Sequence, residues 1–178
     1  MGKTLRAETL MGTRLLAGMI PLACGLLAAL LGNLPLSLPG DFVAAPLLAL
    51  IPVYFWCLVR PDLMTPAAAF VIGLVQDILS GAPPGVWTLC FVLTYALIDR
   101  RRDGFAGLSG VGAVLGFAAA ALAACGTAYL VVAIYYWHLP RIEPMVGEFA
   151  TTVLCYIPGA FLLGAIHRRL VGPLRSDF

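Results

Sequence analysis

Between residues 15 and 166 the chain alternates long apolar runs with short connections that carry most of its charge. A helix rises about 1.5 Å per residue, so roughly 20 consecutive apolar residues cross a hydrocarbon core of about 30 Å. The run at 15–34 has that length, and further runs follow it almost to the C-terminus. Only 11% of the residues are charged and 61% are hydrophobic, whereas a soluble domain carries roughly 25% charged residues. Too little polar surface exists to coat a water-soluble body, so the composition points to an integral membrane protein. The net charge of +2 gives no reason to expect a nucleic-acid partner.

The pattern predicts an all-α fold, a single integral membrane domain over 1–178 built as a polytopic bundle of six transmembrane helices. Their expected positions are about 15–34, 42–59, 65–80, 86–98, 111–135 and 149–166. Pro46 and Pro52 interrupt the second run, and Arg60-Pro61-Asp62 stops it. Thr65 followed by Pro66 reads as an N-cap with proline at the first helical position. Gly81 reads as a left-handed C-cap, after which Ala82-Pro83-Pro84-Gly85 cannot continue a helix. Residues 138–148, with Pro140 and Pro144, read as a polar loop. Lys3, Arg6 and Arg14 ahead of the first run resemble a signal peptide, but the run is too long and lacks a cleavage site, so an uncleaved span is expected. The five cysteines form no C-x-x-C pair and read as small packing residues.

Topology follows from the basic residues. With both termini in the cytoplasm, ten of the eleven lysines and arginines fall inside and only Arg141 outside, the bias expected of a multi-pass inner-membrane protein. Arg60 and the Arg100-Arg101-Arg102 cluster then read as cytoplasmic anchors against anionic membrane lipid.

Within the third run lies G-L-V-Q-D-I-L-S-G-A-P-P-G, residues 73–85. Asp77 and Gln76 are polar groups placed where lipid is expected, and an intramembrane carboxylate is costly enough to suggest a role in function or assembly. Gly73, Asp77 and Gly81 follow at four-residue spacing and share a helix face. Glycines on either side of the acid would let another helix come close and cover it. Gly73, Gln76, Asp77, Gly81 and Gly85 are therefore candidates for a partner or cavity contact. An acid near a helix C-terminus is also disfavoured by the macrodipole, so something must compensate it. The candidates are Thr94, Tyr95, Thr127, Tyr129, Arg141, a water or protonation.

Signs of catalysis are poor. The two histidines, His138 and His167, fall on opposite sides of the expected membrane, so no metal site of paired histidines is expected. No nucleophile elbow, H-E-x-x-H pair or phosphate-binding glycine loop occurs, and no cofactor is implied. Asp77 lacks a second acid in the expected spans.

Taken together, P-L-L-A-L-I-P-V-Y-F-W-C-L-V-R-P-D at 46–62 and T-P-A-A-A-F-V-I-G-L-V-Q-D-I-L-S-G-A-P-P-G at 65–85 resemble the bacterial rod shape-determining MreD family. The pattern G-x-x-x-D-x-x-x-G-x-x-x-G at Gly73, Asp77, Gly81 and Gly85 carries the resemblance most specifically, and Pro84 is a mild departure from it. The resemblance implies a non-enzymatic inner-membrane component of the cell-elongation machinery, organising lateral peptidoglycan synthesis and maintaining rod shape. The implied partners are MreC first, then RodA, a class B penicillin-binding transpeptidase and MreB through the complex. The family is similar in fold to the substrate-binding subunits of energy-coupling-factor vitamin transporters. That likeness implies a lateral cavity near Asp77 and makes such a transporter subunit the alternative function.

Overall fold

The computed structural model describes residues 18–34, 45–101, 104 and 110–171. These form six α-helices and, among the described residues, no strand. They are α1 (Gly18–Gly32), α2 (Leu50–Val59), α3 (Pro66–Ser80), α4 (Val86–Arg100), α5 (Val111–Tyr136) and α6 (Ile142–Ile166). A wide π-turn, His167–Val171, continues α6. Two of the helices, α5 and α6 with its extension to Leu170, are long and apolar enough to cross a membrane. The other four have 10 to 15 residues. Lys3, Arg6, Arg14, Arg102 and Arg175 lie outside the described residues.

Two helix starts differ from the sequence reading. The second run is helical only from Leu50 and not from residue 42; residues 45–49 precede the helix and 42–44 lie outside the described residues. Pro46 has no N–H for a helix interior, whereas Pro52 falls in the first turn, where that N–H has no helical acceptor to lose. The incoming strand of chain is held instead by the Leu47 N–H donating 2.8 Å to Thr152 Oγ1 on α6. The sixth helix starts at Ile142 and not at 149. Pro144 is again in a first turn, where proline is tolerated, and Glu143 beside it complements the positive end of the helix dipole. The expected polar loop is thus partly helix, and Glu148 belongs to α6.

The α3 start is as read from the sequence. Thr65 is extended (φ −96°, ψ 159°), its Oγ1 accepts the Ala68 N–H at 3.2 Å, and Pro66 opens the helix. Gly81 ends the helix in the left-handed region at φ +63°.

Helices α2, α5 and α6 meet in an aromatic cluster. Phe117 stacks on Tyr156 with centroids 4.2 Å apart, and Tyr54 packs edge-on against both at 5.3 and 5.8 Å. Pairs of this kind contribute about 0.5–1.5 kcal/mol each beyond the area they bury. Trp56 is fully buried and packs edge-on against the His167 ring at 5.9 Å. Tyr135-Tyr136-Trp137 at the end of α5 is exposed. All five cysteines are free, and three of them are buried.

Between α2 and α3, Arg60 grips Asp62 with two hydrogen bonds, Nε to Oδ1 at 2.9 Å and Nη2 to Oδ2 at 2.8 Å. The guanidinium holds the Asp62 carboxyl below its ordinary value of 3.8. A lowered carboxyl stabilises the fold at neutral pH, and that contribution is lost as the pH falls from about 3.8 through the lowered native value. Asp62 is 46% exposed, so solvent screening limits the effect to at most about 1 kcal/mol. A pH series of thermal melts should show wild type and Asp62→Asn separated slightly at neutral pH and converging below that window.

Candidate functional site

The site is the hairpin of α3 and α4, which pack against each other more extensively than any other pair among the described helices. Helix α4 begins at Val86 after Gly85, which sits at φ +94° and has no side chain with which to cap the helix. The first N–H groups of any helix lack partners within it. Here Asp77, from the last turn of α3, supplies them. Its Oδ1 accepts the Trp87 N–H at 2.8 Å, and its Oδ2 accepts the Gly85 N–H at 3.0 Å and the Thr88 N–H at 3.1 Å. The Thr88 hydroxyl donates to the same Oδ2 at 2.6 Å. Asp77 is 5% exposed, so the carboxylate is enclosed by donors.

This arrangement answers the electrostatic difficulty posed by the sequence. The negative end of α3 disfavours Asp77, but the positive end of α4 faces it and favours a carboxylate. Two of the expected compensating groups bond elsewhere: Thr127 donates to Ala123 O at 2.7 Å and Tyr129 to Pro140 O at 3.2 Å. The residue missed from the sequence is Thr88. Its signal was glycine in place of Ser, Thr, Asp or Asn at the N-cap of α4, which leaves the cap to a residue from outside that helix.

Gly73 and Gly81 have the same spacing from Asp77 but different tasks. A Cβ on Gly73 would stand 2.5 Å from Thr88 Cα and 3.0 Å from Trp87 O, both backbone atoms of α4. Gly73 is therefore the contact that lets α4 descend onto the carboxylate. A Cβ on Gly81 would meet nothing within 4 Å; this glycine is required by its positive φ and not by crowding. Gly85 likewise has open space and a positive φ.

Gln76, next to Asp77, connects α3 to α1. Its Oε1 accepts from Asn33 Nδ2 at 3.1 Å, and the same Asn33 amide donates to Ala29 O at 2.8 Å. Asn33 was not singled out from the sequence, although it is a lone amide at the end of an apolar run. The hairpin thus brings Gly73, Asp77, Gly85 and Thr88 together, with Gln76 turned toward α1. Arg60 and Arg100 lie away from it, at the ends of α2 and α4. Among the described residues no group of three His, Cys, Asp or Glu could hold a metal. An apolar cavity of about 420 Å³ lies between α1, α2 and α6 and includes none of the hairpin residues. The cavity expected near Asp77 is not this one.

Apolar helices with no strand among the described residues, and interior polar groups paired across helix ends, are consistent with a membrane helix bundle. A family model described as "rod shape-determining protein MreD" matches residues 13–137. The match spans most of the chain, including the whole α3–α4 hairpin, and the chain belongs to the MreD family. No curated protein matches it. No solved structure matches it either.

Proposed function

We propose that this chain is a non-enzymatic scaffold of the bacterial inner membrane, where it helps organise lateral peptidoglycan synthesis by holding MreC within the cell-elongation machinery. RodA, a class B penicillin-binding transpeptidase and MreB join through that complex. Six helices read as six spans, on the plan of the energy-coupling-factor substrate-binding subunits, with both termini and the anchors Arg60, Arg100, Arg101 and Arg102 on the cytoplasmic side.

The observation that carries this reading is the use made of Asp77. A buried carboxylate enclosed by four donors holds a helix end in place. The exposed face of α3 presents Phe70, Val71, Leu74 and Ile78 at helical spacing. Gly73, Gln76, Asp77, Gly81 and Gly85 serve the partner contact by fixing the hairpin that carries this face.

Depleting the chain from its host should round the cells, and a tagged copy should bring down MreC from detergent-solubilised membranes. Recovery of an ATPase pair and a retained vitamin, with no MreC, would instead identify a transporter subunit and overturn the scaffold reading.

A further inference from the structure

The cavity of about 420 Å³ has a size that accommodates a small ligand. Its floor is Ile51 and Pro52 of α2, one wall is Leu27 and Leu31 of α1, and the other is Pro158 and Leu162 of α6. Leu27 (58% exposed) and Leu162 (64% exposed) stand at its rim, so the groove opens sideways between α1 and α6 toward the surrounding lipid. Nothing charged lines it. A ligand held there contributes hydrocarbon and no polar group.

Charge is concentrated at one end. Ile166 lines the groove, and His167, Arg168 and Arg169 follow it within a single turn. Arg168 folds back along α6, with Nη1 3.6 Å from the place of a Gly164 Cβ. The His167 ring packs on Trp56, which brings the same end of α2 alongside. Arg60 lies close enough for its charge to act on His167, but Asp62 already offsets that charge. Arg168 and Arg169 are exposed and form no ion pair among the described residues.

We propose that the groove between α1, α2 and α6 takes one acyl chain of an anionic phospholipid whose phosphate is held by Arg168 and Arg169. An apolar slot and two cations just beyond its Ile166 end are together the complement of such a lipid. A transmembrane helix of a partner would match the slot but gives no reason for the paired arginines. The inference does not depend on the scaffold reading, because lipid binding is measured without any partner protein.

The test uses the full chain purified in detergent and mixed with phosphatidylglycerol or phosphatidylethanolamine, with bound lipid counted by native mass spectrometry. One phosphatidylglycerol per chain is expected, in preference to phosphatidylethanolamine. Arg168→Gln with Arg169→Gln should lower that preference by roughly fivefold for each charge removed, with occupancy of the groove itself retained. Leu162→Trp fills the groove from its exposed rim and should expel both lipids. A phosphatidylglycerol bearing a photoreactive acyl chain should cross-link to the segment 155–166 in wild type and not in Leu162→Trp. Circular dichroism confirms that each variant is folded. Equal retention of the two lipids, unchanged binding after filling the groove, or cross-links confined to other helices would each overturn the proposal.

Discussion

Asp77→Leu is expected to yield little or no folded protein in the membrane. The substitution leaves the N–H groups of Gly85, Trp87 and Thr88 and the Thr88 hydroxyl without their acceptor, and a buried donor left unsatisfied costs about 1–3 kcal/mol. Several such losses together are comparable to the whole stability of a domain, about 5–15 kcal/mol. Asp77→Ala should behave in the same way. Asp77→Asn keeps one acceptor oxygen but turns an NH₂ toward donors, so its folded yield should fall between wild type and leucine. Thr88→Val removes one of the four bonds and should be the mildest of the set. Folded yield by fluorescence-detected size exclusion and the midpoint of a thermal melt give the order. Leucine behaving like wild type would remove every role assigned to this carboxylate.

A second large effect is expected at Gly73. Even Gly73→Ala would place a methyl 2.5 Å from the Thr88 Cα, and the obstacle is backbone that cannot rotate aside. Overpacking of this kind typically costs about 1–3 kcal/mol. It also lifts α4 away from Asp77, so part of the carboxylate's contribution is lost with it, and Gly73→Leu should fail to fold. Gly81→Leu is a different experiment. Its side chain meets open space, and only the positive φ resists it, at roughly 1–2 kcal/mol. Gly81→Asn, which tolerates that conformation, should be close to wild type. Comparing the melting midpoints of the Gly73 and Gly81 series separates crowding from backbone conformation, and equal losses at the two sites would show that assignment to be wrong.

That contrast shows where sequence reading stops. Spacing alone made Gly73 and Gly81 equivalent packing residues, because both fall on the face of Asp77. Their difference lies in where α3 ends relative to α4, which is a tertiary fact. The burial of Asp77 and its need for compensation were legible from an acid in an apolar run. Its partners were not, because three of the four donors are backbone N–H groups, which look the same for every residue type. Local signals did better: Thr65-Pro66 and Gly81 mark the ends of α3 through caps formed within a few residues. The starts of α2 and α6 were misjudged in opposite directions. Pro46 lies in chain tethered to Thr152 a hundred residues away, whereas Pro144 lies in a first turn that tolerates it.

The cap also constrains how the chain is made. On the proposed plan of six spans, α3 leaves the ribosome ahead of α4 with no donors for its carboxylate, and an aspartate inside a span raises the cost of entering the bilayer. That cost disappears only when the Gly85–Thr88 turn arrives and closes over Asp77. On that plan biogenesis favours retention of α3 at the insertion machinery until α4 follows, and release of the two into lipid as a single hairpin.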